Sequence, residues 1–307
     1  MSPDARRRAR LAAGLAIASL LVAAAGMAAG GDGWSPAGTL RALASADGRL
    51  IVLQIRAPRT LGAWLTGALL GLSGAAAQGL FRNPLADPYL LGSASGAVLG
   101  VVLVLAGAAL GGHVVSVATA DAIARFGLVG AAFAGALLGV LLTLSLARGA
   151  QETMHLLLAG IVVGVLLTAA SDLVIIAALD AFRGKQAFLL GSTGFLGWNS
   201  CAFMALGLGL ALPAAWRLAR VLDALTLGGE TAVSLGLALG RLRVALVAVI
   251  ALATGVAVSQ AGLIAFVGLI APHLCAGLPR PRTASRWWPA ARRAARSCWP
   301  PTCWPGR

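Results

Sequence analysis

The sequence is poor in negative charge. Ten Asp and Glu stand in 307 residues, and charged residues of both signs make up only 11%. A soluble domain carries roughly 25%. So few charges cannot cover a water-exposed surface of this length, which excludes an ordinary soluble enzyme. Three histidines, His113, His155 and His273, are too scattered for a Ser/His/Asp set, and no HExxH stretch occurs. The four cysteines, Cys201, Cys275, Cys298 and Cys303, show neither CxxC nor Cys/His spacing, so no metal site is expected. A Walker A loop is also missing: Gly184-Lys185 is followed by Gln186, and the upstream glycines are wrongly spaced. ATP binding through a P-loop is thereby excluded, and no cofactor is expected.

Apolar residues fill the space that charge leaves. They make up 59% of the chain, and the mean hydropathy is +0.88. A spanning helix needs about 20 mostly apolar residues. Runs of that kind fall at 11–30, 60–81, 90–111, 126–147, 154–179, 199–219, 242–259 and 261–274, with a tight re-entry at Ser259–Gly262. The fold class is therefore all-α, a polytopic transmembrane bundle of about eight spans. The first run also fits a secretory signal, with Arg6, Arg7, Arg8 and Arg10 as its basic end, but it is long for one. Glycine is abundant, at 40 residues, and lies inside the apolar runs. Pairs such as Gly67/Gly71, Gly92/Gly96, Gly96/Gly100 and Gly160/Gly164 have the spacing that lets helix backbones approach in lipid.

The net charge of +14 reads as membrane orientation rather than nucleic-acid binding, because the arginines cluster at the ends of apolar runs. The N-terminal arginines and the 217–243 segment place the N-terminus inside. Asp172 lies within the fifth run, and an intramembrane carboxylate is costly enough to suggest function by default. It equally fits a residue facing another helix or a wet cavity. Residues 82–89 are a sharp turn, because Asn83-Pro84 cannot continue a helix. Asn83 and Asp87 are placed to cap the helix that follows. Arg56 and Arg59, around Pro58, stand before the second run, where Pro58 fixes the chain as the helix begins.

Composition changes after Leu274. Residues 275–307 hold four of the eight tryptophans, Trp287, Trp288, Trp299 and Trp304, together with seven arginines and recurrent proline. No helical or strand period continues there. The expected division is a membrane domain over 1–274 and an aberrant, disordered tail over 275–307. A shifted reading frame near codon 275 gives such a stretch, and so does a basic cytoplasmic tail.

Three ordered elements then carry a resemblance. Arg56-Ala-Pro-Arg59 comes first, Gln78-Gly-Leu-Phe-Arg-Asn-Pro-Leu-Ala-Asp-Pro88 second, and Leu91-Gly-Ser-Ala-Ser-Gly-Ala97 third. Together they resemble the FecCD family of ABC-transporter permeases, importers of iron–siderophore complexes, haem or cobalamin. Leu157–Ile161, Leu189–Ser192 with Trp198, Leu227–Ala232 with Ser234–Gly236, and Gly262–His273 extend the similarity to about residue 274. The family continues with two further helices that have no counterpart in the tail.

The resemblance implies a type II importer fold with about ten spans per permease, of which about eight are present. It implies two permeases as a homodimer or a mixed pair, two separate ABC ATPase subunits, and a periplasmic or lipid-anchored substrate-binding protein. No chemistry falls to the permease itself. Arg56 and Arg59 would dock the binding protein. Leu227, Gly228, Gly229, Glu230, Ser234 and Gly236 would form the loop that couples to the ATPase. Gln78, Asn83, Pro84 and Pro88 would form the structural turn. The substrate route would follow the fifth span. The expected setting is the bacterial cytoplasmic membrane, and a siderophore–iron complex is the first substrate expected. An ion-coupled secondary transporter and a non-functional truncated permease are the alternatives.

Overall fold

The computed structural model describes residues 3–30, 33–110, 127–147, 152–226 and 238–277. Among these the regular structure is helical, apart from a two-residue antiparallel pairing of Ala29–Gly30 with Gly33–Trp34. Ten helices are followed in chain order here. They are α1 Pro3–Ala28, α2 Pro36–Ala44, α3 Ala46–Phe81, α4 Ser93–Leu110 and α5 Leu128–Leu146. Then come α6 Thr153–Ala177, α7 Ala181–Leu190, α8 Trp198–Thr226, α9 Leu239–Ala261 and α10 Val267–Gly277.

Among the described residues six stretches are long and apolar enough to cross a membrane: α3, α4, α5, α6, the Trp198–Ala219 part of α8, and α9. The all-α bundle expected from sequence is what forms, and one of the eight expected spans is displaced. The first expected span falls within the 26-residue α1. The eighth begins later than expected, at Val267 of α10. Gly262 (φ 70°) and Phe266 (φ 66°) both adopt left-handed backbone, and no right-handed helix can run through them. The expected domain limit at residue 274 falls inside α10, and residues 278–307 lie outside the described residues.

Helix α3 also starts earlier than expected. Pro58 does not begin it. A five-residue π segment, Val52–Arg56, leads straight into Ala57–Phe81, with the Ala57 N–H bonded back to the Val52 carbonyl. Proline brings no N–H for the carbonyl four residues before it, and a π bulge is one way to carry a helix past that gap.

The core is built around α9. Leu246, Val247 and Ile250 pack on Ala76, Ala77 and Leu80 of α3. Val249, Ala253 and Val256 pack on Leu65 and Leu69 of α3 and Met204 of α8. Val258 meets Ala97, Val101, Ala132 and Ala136 of α4 and α5. Lipid tails are as apolar as leucine, so close packing, not expulsion from water, holds these helices together. The α4–α5 contact shows how close: a Cβ on Gly96 would run into the Gly135 carbonyl, and one on Gly135 into the Gly96 carbonyl. Three buried threonine hydroxyls are satisfied within their own helices: Thr66 donates to Gly62 O, Thr143 to Gly139 O and Thr254 to Ile250 O.

Candidate functional site

Two helix breaks lie side by side in the bundle, one after α7 and one before α10. Along α7, Ala181 packs by Ala106, Gly184 lies against Leu105, and Phe188 reaches Val98 and Val102. As α7 advances it thus passes back down α4, making it a half-helix that turns into the bundle. At its end Gly191 is left-handed (φ 58°), and the chain returns to α3, where the Trp198 indole donates to Leu53 O. The break at Gly262–Phe266 lies beside it. Ser192 N donates to Ala261 O at 2.7 Å, and Leu263 N donates to Phe188 O at 3.0 Å. Non-helical backbone inside a membrane bundle must be satisfied by protein, and these two breaks satisfy one another.

Gln78 and Tyr89 complete the support. Gln78 Nε2 donates to Leu269 O at 3.0 Å, and the Tyr89 hydroxyl donates to Ile264 O at 3.3 Å. Gln78 thus has two roles: its carbonyl accepts from Arg82 N and Asn83 N at the turn, and its side chain reaches from α3 to clamp α10. Pro88 lies against Gly268, so it braces α10 as well. The turn itself is as expected in outline. Arg82 ends α3 in left-handed conformation, and Asn83 Oδ1 accepts from Leu85 N before Pro84 can be bypassed. Asn83 thus closes the turn rather than capping a helix. Asp87 is the cap, accepting from Tyr89 N at 2.8 Å at the start of the 3₁₀ turn Pro88–Leu91. Burial pushes the Asp87 carboxyl above its usual range, against the lowering effect of that bond. Burial first, and the Asp87 charge second, push the Tyr89 hydroxyl up.

A groove of about 480 Å³ runs along α6. Its floor is Gly160, Ile161, Gly164, Val165, Thr168, Ala169 and Asp172, and its far side is Tyr89, Leu90 and Ser95. From Gly160 to Asp172 it extends about 18 Å at the helical rise. Gly160 lets α6 close on the Leu90 carbonyl. Most of the lining is apolar; the polar marks are the Thr168 hydroxyl, which donates to Ser95 Oγ at 3.2 Å, and Asp172. Asp172 also pairs with Lys185 of α7, the Lys side chain 10% exposed and the Asp side chain 61%. Sequence reasoning singled out Asp172 but not its partner, which lies across a helix break. One signal existed: Lys185 is the only lysine among 24 basic residues.

The two arginines expected to act together have different surroundings. Arg56 is half-buried, and its Nη1 donates to Thr39 Oγ1 at 3.2 Å and to Met27 O at 3.4 Å, fastening α1 and α2 to α3. Arg59 is exposed. At the other end of the bundle Glu152 and His155, both exposed, sit 3.5 Å apart at the start of α6. Leu227, Gly228, Gly229, Glu230, Ser234 and Gly236 lie outside the described residues.

The profile of the FecCD transport family matches residues 15–291. A vitamin B12 import system permease protein, BtuC, from Salmonella paratyphi A is 36% identical over 270 residues, covering 88% of this chain and 78% of that protein. A cobalamin import system permease protein, BtuC, from Halobacterium salinarum is 35% identical over 229 residues, covering 73% of this chain and 58% of that protein. Among solved structures, a metal-chelate type ABC transporter in an inward-facing conformation superposes with a TM-score of 0.72 at 24% identity, covering 86% of this chain and 80% of that one. That last likeness bears on the fold.

Proposed function

Because the chain belongs to the FecCD transport family, and so is a multi-pass permease of an ABC importer, we propose that it carries a large chelate along the α6 groove, with a corrinoid as the first substrate to test. The observation that supports this most is the groove itself: an open, mostly apolar channel wall on an exposed spanning helix, marked by a few acceptors. The expected iron–siderophore substrate moves to second place, since the relatives at 35–36% identity are named for vitamin B12 or cobalamin. An amide-rich, bulky solute suits a wall that offers hydroxyl and carboxylate oxygens on an apolar ground.

In this reading a second permease faces α6 across the route, and two ATPase subunits drive the cycle through the 227–236 loop, where Glu230 contributes the charge. The N-terminus is inside, on the side of the Arg82 turn. Arg59 docks acidic groups of the substrate-binding protein, for which a guanidinium is suited. Arg56 holds the N-terminal helices in place beneath it.

Broken helices meeting inside the bundle are also a mark of ion-coupled transporters, and α7 and α10 give that second reading its support. Uptake into liposomes holding the permease with its ATPase and binding protein separates the two. ATP-dependent accumulation of labelled cyanocobalamin is expected. Accumulation driven by a proton or sodium gradient without the ATPase would overturn the proposal.

A further inference from the structure

Helix α7 is lightly held for a helix that turns into a membrane bundle. Of its ten residues only Ala181 and Lys185 are buried. Phe182 is 48% exposed and Leu190 82%. Its C-terminal end is tied by backbone bonds to the neighbouring break, at Phe188 and Ser192, around the left-handed Gly191. Its middle is tied to α6 by Lys185 and Asp172. On the α4 side there is only packing, such as Gly184 on Leu105.

An ammonium group taken out of water pays a large desolvation cost unless it is paired. Lys185 can therefore occupy its buried position only while Asp172 receives it. An apolar residue would hold α7 there unconditionally; a lysine, compact and with a flexible stem, holds it conditionally. Asp172 is mostly exposed and is itself part of the groove wall. Anything that enters the groove and engages the carboxylate competes with Lys185. The chain's one lysine is thus where the half-helix meets the groove.

We propose that the Asp172–Lys185 pair is a pin that seats α7 beside the groove, that Gly191 is the hinge, and that releasing the pin frees α7 to swing out and open that end of the groove to water. The inference rests on the α6 groove being the substrate route. Both residues are positioning residues here: they act through α7.

The test uses the full chain with its native cysteines replaced by serine and one introduced, Ala169→Cys, on the exposed groove wall. The assembled transporter is treated in intact cells with a membrane-impermeant maleimide, and labelling is counted per molecule of permease in the membrane. In the charge-free variant Asp172→Asn with Lys185→Met, which leaves no unpaired buried charge, labelling should rise by about tenfold, as when a state below a tenth of the population becomes the main one. Lys185→Arg, which keeps the charge, should label as slowly as the parent. A merely structural pair would lower the amount of permease without changing the rate per molecule. Equal labelling rates in the parent and the charge-free variant overturn the pin and leave the groove as the route. No labelling in either variant, from either face of the membrane, overturns the groove as a route and the pin with it.

Discussion

Helices α9 and α6 look alike as strings of residues. They are 23 and 25 residues long, and the mean hydropathy of their most apolar stretches is 2.2 and 2.3. In the bundle they part: 72% of that stretch of α9 is buried, against 28% in α6. Both are apolar all round, so neither carries a polar stripe to say which face turns inward. What separates them is who can approach. α9 is enclosed by α3, α4, α5 and α8 through small-residue contacts, whereas α6 packs on α4 and the Leu90 carbonyl along one side and leaves Leu158, Val165, Leu166 and Leu173 open. The enclosed helix is the frame, and the open one carries the surface proposed as the substrate route.

The sharpest break in that comparison is at the glycines. Gly96 and Gly164 both belong to small-residue pairs. A Cβ at Gly96 meets the Gly135 carbonyl, while at Gly164 it meets Ser95 Oγ at 3.6 Å, an ordinary contact. Gly96→Ala should therefore destabilise by about 1–3 kcal/mol through overpacking. Gly164→Ala should stabilise by about 0.5–1 kcal/mol, because alanine loses less backbone freedom in a helix. Thermal unfolding of the two variants in detergent reads both signs.

A smaller effect distinguishes the two arginines. Arg59→Glu should slow association with the substrate-binding protein roughly tenfold at low salt, and less at high salt, with the permease unfolding at its usual temperature. Arg56→Glu should lower the unfolding temperature too, since it loses the bonds to Met27 and Thr39. Association rates and unfolding curves for the two variants, measured side by side, check the division of roles.

The frame was legible because length and hydropathy alone find α3, α4, α5, α6, α8 and α9, and because Asn83-Pro84 and Asp87 announce their turn by chemistry that works locally. The second role of Gln78, its side-chain clamp on α10, was not legible because it depends on Leu269, 191 residues away in sequence. The start of the eighth expected span was misplaced for a similar reason. Apart from Gly262, the run to Leu274 is apolar, and its break depends on Phe266 adopting a conformation that bulky residues rarely take. Lys185 was invisible as a partner because apolar periodicity does not report where a half-helix turns back. The shared role expected for Arg56 and Arg59 came from the family resemblance, which does not report that Arg56 also bonds to Met27 and Thr39.

The claim that the open face of α6 is a route, and not simply a face turned to lipid, is tested by bulk. Val165 in the groove and Leu206 on α8 are similarly exposed, at 64% and 62%. Val165→Trp and Leu206→Trp are compared in the reconstituted importer, at equal permease content, for ATP-dependent uptake of labelled cyanocobalamin. The account predicts that Val165→Trp abolishes most uptake while Leu206→Trp transports like the parent; equal uptake by the two variants would contradict it.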